Sequence, residues 1–167
     1  MNLSPTQYSE YLARQTRQKP STGVPVTPMK GPVLAHKFVV PGNPMGKPRM
    51  TQRDVWAKRD VVVRYRAYAD AIRAACGPVP ENPVGVNVIA YIAMPASWSE
   101  KKKASLDGLG QRQKPDYDNI SKSIGDALFS DDSVLFAATC VKFWCREGHQ
   151  RTAVSVLYLG DAAKPTP

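Results

Sequence analysis

Residues 114–145 read KPDYDNISKSIGDALFSDDSVLFAATCVKFWC, a helix pattern followed by a strand pattern. From about Asn119 to Leu128, apolar residues recur at helical spacing, which predicts a helix with one face packed on a sheet. That apolar face consists of Ile120, Ile124, Ala127 and Leu128. Val134 to Cys145 is rich in apolar and β-branched residues and predicts a strand. This helix-to-strand unit is typical of a domain in which helices cover a sheet.

Outward from this stretch, the same patterns predict the rest of the fold. The further elements are a strand at Leu34–Val40, a helix at Val55–Cys76, a strand at Val84–Met94 and a strand at Thr152–Leu159. Their order, β-α-β-α-β-β, predicts an α/β (α+β) domain with a mixed sheet of about four strands and helices packed on it. The last two strands are expected to form an antiparallel hairpin, and the crossovers favour parallel neighbours elsewhere.

Three regions are expected along the chain. Residues 1–33 form an N-terminal extension, with a short helical arm from Pro5 to about Gln18 and a proline-rich linker. Residues 34–160 form the globular domain, and residues 161–167 a flexible tail. The extension fits either an arm that docks or contacts DNA, or a frayed tail.

The charge balance of the 167-residue chain is strongly basic. It has 23 Lys and Arg against 14 Asp and Glu, a formal net charge of +9. Such a balance favours a nucleic-acid partner, although an acidic protein or a membrane surface would also attract it. The N-terminus lacks the apolar core of a signal peptide, and no apolar run is long enough to span a bilayer, so a soluble cytoplasmic protein is expected. Three cysteines without a CxxC pair, and two histidines, argue against a zinc site.

Acidic residues cluster within this basic chain. Asp116 and Asp118 are two residues apart, and on an extended segment both carboxylates would point to one side and could share a cation. Mg²⁺ suits such oxygen ligands, with Mn²⁺ as a substitute. Lys122 follows Asp118 by four residues, so its ammonium can lie beside the metal. There it could hold a scissile phosphate, stabilise the charge that develops in the transition state, or help to orient the attacking water. The pair Asp131–Asp132 can return a third carboxylate to the same rim.

The helical phase places Asp118, Lys122 and Asp126 together on a polar stripe, away from the apolar face. Each part of this pattern also has a purely structural explanation. Asp118–Asn119 is a good helix-capping pair, and Asp131–Asp132 alone is typical of a turn. The combination of residue types, order and spacing is what indicates a metal site.

The combination resembles the RusA-type Holliday junction resolvases, crossover junction endodeoxyribonucleases of bacteria and their phages. That family has an Asp-x-Asp-Asn-hydrophobic-x-Lys stretch, a short helix containing Asp-Ala-Leu, and an Asp-Asp pair before a strand. These segments correspond here to residues 116–122, 126–128 and 131–132. The resemblance makes residues 34–160 a RusA-like nuclease domain.

The resemblance also implies residue roles and partners. Asp116, Asp118 and Asp132 would be the metal-binding carboxylates and Lys122 the supporting lysine. The enzyme would act as a Mg²⁺-dependent homodimer that cuts two opposed strands of a four-way DNA junction, in recombination and repair. Whether it serves the bacterial host or a phage stays open.

Binding to DNA is expected to rely on phosphate contacts. The candidate side chains are Lys47, Arg49, Arg53, Lys58, Arg59 and Lys114. A solvated surface loop is the alternative for the first five of these.

Two other functions remain open from the sequence. One is a nuclease with a broader range of substrates, such as flaps or other branched DNA. The second is a basic DNA-binding protein without catalytic activity, in which the acidic cluster is structural.

Overall fold

The computed structural model describes residues 31–56 and 59–160. The predicted N-terminal arm and linker, the tail at 161–167 and the candidate Lys58 lie outside these residues. The described elements are β1 (Val33–Pro41), α1 (Asp60–Cys76), β2 (Pro83–Ala93), α2 (Glu100–Leu106), α3 (Tyr117–Leu128), β3 (Ala137–Cys145) and β4 (Arg151–Leu159). None of these helices has the length and apolar character needed to cross a membrane.

The four strands form one mixed sheet, as predicted, in the order β1-β4-β2-β3. β4 is antiparallel to both β1 and β2, and β2 is parallel to β3. The predicted hairpin between the last two strands is therefore wrong, because β2 lies between them. Residues 146–150 need to span only two strand spacings, roughly 10 Å, which five residues can do easily. A connection of this length fits a hairpin and a short crossover equally well.

The first long helix begins at Asp60, five residues later than predicted. Gln52–Val55 instead form a 3₁₀ turn, and Arg59 takes the N-cap position of α1 with an extended backbone. The cause is Asp54, whose buried carboxylate accepts hydrogen bonds from Arg59 Nε at 2.5 Å and from the Thr51 backbone N–H at 2.6 Å. These contacts hold Arg59, the N-cap residue of α1, against Asp54.

Helices α1 and α3 pack on one face of the sheet and form the core with it. Ile72 of α1 and Ile120 and Ile124 of α3 are fully buried, each contributing roughly 1.5–3 kcal/mol relative to exposure. The predicted apolar face of α3 is thus confirmed. With that face fixed on the sheet, the side of α3 that bears Asp118 is directed away from the core.

Candidate active site

Three of the predicted site residues line one cavity. Asp118 and Lys122 of α3 and Asp132, which follows α3, surround a space of about 350 Å³. The sheet residues Val86, Ala138 and Cys140 form the floor of this cavity, and its remaining walls come from Tyr117, Ser121, Gly125 and Leu135. The cavity therefore combines two carboxylates and one ammonium group with an apolar floor.

An extended segment was predicted for Asp118, but in the structure this residue is helical. Helix α3 begins at Tyr117, two residues earlier than predicted, so Asp118 is in its first turn. An acidic residue is favoured there because backbone N–H groups give the helix N-terminus a partial positive charge. Lys122 is one helical turn later, and both side chains face the same cavity, as the four-residue spacing predicted.

Asp126, the third member of the predicted polar stripe, does not line this cavity. At about 100° per residue, Asp126 is rotated roughly 80° around the helix from Asp118. It lines a separate groove against α1, where its carboxylate lies 2.6 Å from Lys47 Nζ. Hydrogen bonding to Asp126 is the main cause that raises the pKa of Lys47 above its usual value, with burial acting in the opposite direction.

Asp116 immediately precedes α3 and is exposed. It takes the N-cap position, yet among the described residues its side chain makes no capping hydrogen bond. Its carboxylate is not among the groups that line the cavity of Asp118 and Asp132. Within residues 31–56 and 59–160, no three His, Cys, Asp or Glu side chains are close enough together to hold a metal ion.

The adjacent residues Asp131 and Asp132 have different surroundings. The Asp131 carboxylate accepts a hydrogen bond from the Ser133 backbone N–H at 2.9 Å, which caps a 3₁₀ turn and lowers the pKa of Asp131. Asp132 instead faces the cavity. The second aspartate of the pair is thus the one that lines the same cavity as Lys122.

The basic loop after β1 is attached to α3 by contacts that the sequence did not predict. Ser123 Oγ lies 2.8 Å from the Met45 carbonyl and 2.7 Å from the Ile120 carbonyl and shares its one proton between them. The Lys47 N–H donates to the Asn119 carbonyl at 3.1 Å. Glycine is favoured at position 46, because a Cβ there would be only 3.0 Å from the Asn119 Cβ, a tight contact. The available signal was the position of Ser123, next to the apolar face formed by Ile120 and Ile124, and the structure buries it fully.

Lys142 is a second positioning residue, and it was not predicted from the sequence. Its Nζ donates to the carbonyls of Gln113 at 2.7 Å and Pro115 at 2.8 Å. These bonds fix the segment that leads into Asp116. The signal was its position in β3, because Lys142 lies between Cys140 and Trp144 on the same face of the strand, the face turned toward the helices.

The predicted DNA-binding residues have unequal surroundings. Arg49, Arg53 and Lys114 are exposed. Lys47 and Arg59 are engaged in ion pairs with Asp126 and Asp54. The loop thus uses part of its positive charge to hold its own conformation.

The donor set of the cavity fits a hard divalent cation. Carboxylate oxygens of Asp118 and Asp132 are the ligands that Mg²⁺ prefers, and Mg²⁺ commonly takes only one or two carboxylates together with substrate phosphate. Burial is the main cause that raises the pKa of the Cys140 thiol, so this sulfur stays protonated at neutral pH. Oxygen, not thiolate sulfur, is therefore the ionised donor available.

Comparison with known proteins identifies the family. The family described as Endodeoxyribonuclease RusA matches residues 41–156. The uncharacterized protein YqaN of Bacillus subtilis (strain 168) is 32% identical over 126 residues, which cover 66% of this chain and 89% of YqaN. The family match confirms the predicted enzyme class, a structure-specific endodeoxyribonuclease, and implies endonucleolytic resolution of Holliday junctions. The chain belongs to the RusA endodeoxyribonuclease family.

Proposed function

We propose that this protein is a Mg²⁺-dependent homodimeric endonuclease that cuts the two opposed strands of a four-way DNA junction. The observation that carries the proposal is the meeting of Asp118, Lys122 and Asp132 around one cavity. Two carboxylates that face the same space repel each other unless a cation lies between them. Such a site is suited to a metal ion that also contacts a DNA phosphate.

Asp118 and Asp132 would hold the ion, and Asp116 would complete the ligand set once DNA is bound. The exposure of Asp116 and its uncapped carboxylate support this role. When bound, Mg²⁺ lowers the pKa of its water and polarises the phosphoryl oxygen. Mn²⁺ would serve as a substitute, because it also accepts carboxylate ligands.

Lys122 would hold the scissile phosphate. Its ammonium shares the cavity with both carboxylates, so it can approach a non-bridging oxygen and stabilise the charge that develops during hydrolysis. Lys142 acts as a positioning residue, because it holds the backbone that precedes Asp116. Arg49, Arg53 and Lys114 would contact flanking phosphates.

A homodimer follows from the symmetry of the substrate, since a two-fold enzyme presents two equivalent sites to two equivalent strands. The sheet face opposite the helices supports this proposal. Strand register aligns Val39, Ala153, Ile89 and Val141 in one apolar row across all four strands. The three larger side chains of this row are 37–53% exposed.

The dimer is tested by light scattering on the parent protein and on Ile89→Glu, with Ala104→Glu on the exposed surface of α2 as the control. The parent and the control are expected to have the mass of two chains, and Ile89→Glu the mass of one. A monomeric parent protein would refute the dimer.

The function is tested by comparing cleavage of a synthetic four-way junction with cleavage of flap, fork and linear duplex DNA, with and without Mg²⁺ or Mn²⁺. Paired symmetric cuts confined to the junction are expected. Equal cleavage of every substrate would favour the broader branched-DNA nuclease. Binding without cleavage in either metal would favour the non-catalytic DNA-binding protein.

A further inference from the structure

A second cavity lies toward the other end of the strand that forms the floor of the active site. It has a volume of about 530 Å³ and lies between α2, β3 and residues 109–113. Its walls include Trp98, Trp144, Lys102, Leu109, Arg112 and Gln113. Two indole rings and two cations line it, and no acidic residue is among the described residues that do.

The aromatic part of this cavity is held in place. The rings of Trp98 and Trp144 make an edge-to-face contact with centroids 5.1 Å apart, and Trp144 is buried. Lys102 Nζ lies 3.8 Å from the ring centroid of Trp98. Because Lys102 is exposed on α2, its flexible side chain can leave the ring and expose that aromatic face. A cation over an exposed ring is held more weakly than a stacked base.

The two cavities share one face of β3. Cys140 pairs with Val88, and Trp144 pairs with Ile92, so both project toward the helix-covered side. Cys140 and Trp144 are four positions apart along the strand, roughly 13 Å. Residues 109–111 pair antiparallel with this strand through the Trp144 N–H to Leu109 carbonyl bond and the Gln111 N–H to Lys142 carbonyl bond, each of 2.9 Å. At about 3.4 Å per stacked nucleotide, this distance corresponds to about four nucleotides.

We propose that the Trp98–Trp144 cavity binds an unpaired base of the DNA strand that enters the active site, with Lys102 and Arg112 contacting its phosphates. This inference rests on the proposed function, because it needs a DNA strand in the cavity of Asp118 and Asp132. Aromatic rings flanked by cations are the usual means of holding single-stranded DNA without reading its sequence. A base that unstacks near a branch point would be captured there.

The test is binding of an oligothymidylate of about ten nucleotides, a length typical of single-strand sites, in EDTA so that no cleavage occurs. The protein carries Trp56→Phe, which removes the third tryptophan, 77% exposed, from the fluorescence signal. Quenching of the remaining tryptophans is expected. Trp98→Leu should weaken binding about 5- to 100-fold, the range for loss of one stacked base.

Lys102→Met combined with Arg112→Gln should also weaken binding and reduce its salt dependence, whereas Lys101→Met, on the same helix, should not. If circular dichroism shows that Trp98→Leu does not fold, the double variant and its control Lys101→Met still test the inference. Unchanged affinity in folded Trp98→Leu, or in the double variant, would overturn the inference. Absence of quenching in a protein that still cuts junctions would refute this inference alone, while quenching without any nuclease activity would refute the proposed function alone.

Discussion

The two sides of α3 carry similar charged residues in opposite circumstances. On the side facing α1, Asp126 lies 2.6 Å from Lys47, and in the neighbouring loop Asp54 accepts two hydrogen bonds from Arg59. On the side facing β3, Asp118 and Asp132 have no ion-pair partner among the described residues, although Lys122 shares their cavity.

This difference separates carboxylates that stabilise the fold from carboxylates available to a ligand. A paired carboxylate is favourable in the folded state without any further partner. Two carboxylates beside one cavity destabilise each other until a cation arrives. Substitutions on the two sides of α3 should therefore affect different measurements.

The largest effect is expected for Asp132→Asn, with the adjacent Asp131→Asn as its matched control. Asp132→Asn removes a proposed metal ligand and should reduce junction cleavage at least about 100-fold, comparable to the loss of a major electrostatic group in other active sites. Asp131→Asn keeps an oxygen that can accept from the Ser133 N–H, so its cleavage should stay near that of the parent. Equal loss of cleavage in both variants would show that the turn, not the Asp132 carboxylate, matters.

Lys122→Met should reduce cleavage about 10- to 100-fold while junction binding measured in Ca²⁺ changes little, because one of many phosphate contacts is lost. Lys101→Met, which removes a lysine from the exposed part of α2, is the control for lost charge. If the two variants cut equally well, Lys122 does not stabilise the reacting phosphate.

Asp54→Asn should lower the midpoint of thermal unfolding without abolishing cleavage. The hydrogen bonds from Arg59, followed by that from the Thr51 N–H, lower the pKa of Asp54 to about 2. Since the ordinary value is about 3.9, the stabilisation is complete above about pH 4 and is lost as the pH falls through about 2. Unfolding midpoints of the parent and Asp54→Asn should therefore converge on acidification.

The control for this variant is Asp70→Asn, because Asp70 forms a surface ion pair with Arg73 and its side chain is 76% exposed. Its midpoint should stay within a degree or two of the parent. A constant difference between the parent and Asp54→Asn from neutral pH down to about pH 2 would contradict the assignment of Asp54.

Ser123→Ala should have the smallest effect of these substitutions, a loss of about 1–2 kcal/mol in the free energy of unfolding, because the Met45 carbonyl loses its hydrogen bond. Ser121→Ala, on the cavity side of the same helix, should leave that free energy within about 0.5 kcal/mol of the parent. Urea unfolding of both variants measures the difference. Equal stability of the two would mean that the contact between the loop and α3 contributes nothing.

Much of the fold could be predicted because the spacing of apolar residues along a helix or strand indicates which face is buried. All four strands and both long helices were found, and the buried face of α3 followed from Ile120 and Ile124. The strand neighbours of β4 could not be predicted, because residues 146–150 suit either a hairpin or a crossover past β2. The start of α1 was missed because Asp54 and Arg59, five residues apart, pair in a bend that no helical pattern reveals.

The site was predictable where it depended on spacing within one helix. The four-residue spacing of Asp118 and Lys122 placed both on one cavity, whereas Asp126, four residues further on, lines a different groove because the helix has turned farther. Contacts between distant segments were not predictable. Lys142, bonded to the carbonyls of Gln113 and Pro115, is separated from them by the whole of α3.

The most direct test measures junction cleavage and thermal unfolding together for Asp118→Asn and Asp126→Asn, two carboxylates of the same helix. Asp118→Asn should lose cleavage at least about 100-fold with an unfolding midpoint no lower than that of the parent, because the repulsion between Asp118 and Asp132 is relieved. Asp126→Asn, which loses the ion pair with Lys47, should unfold about 2–4 °C lower and cut within tenfold of the parent. Retained cleavage in Asp118→Asn, or an equal loss in both variants at equal stability, would contradict the division of roles between the two sides of α3.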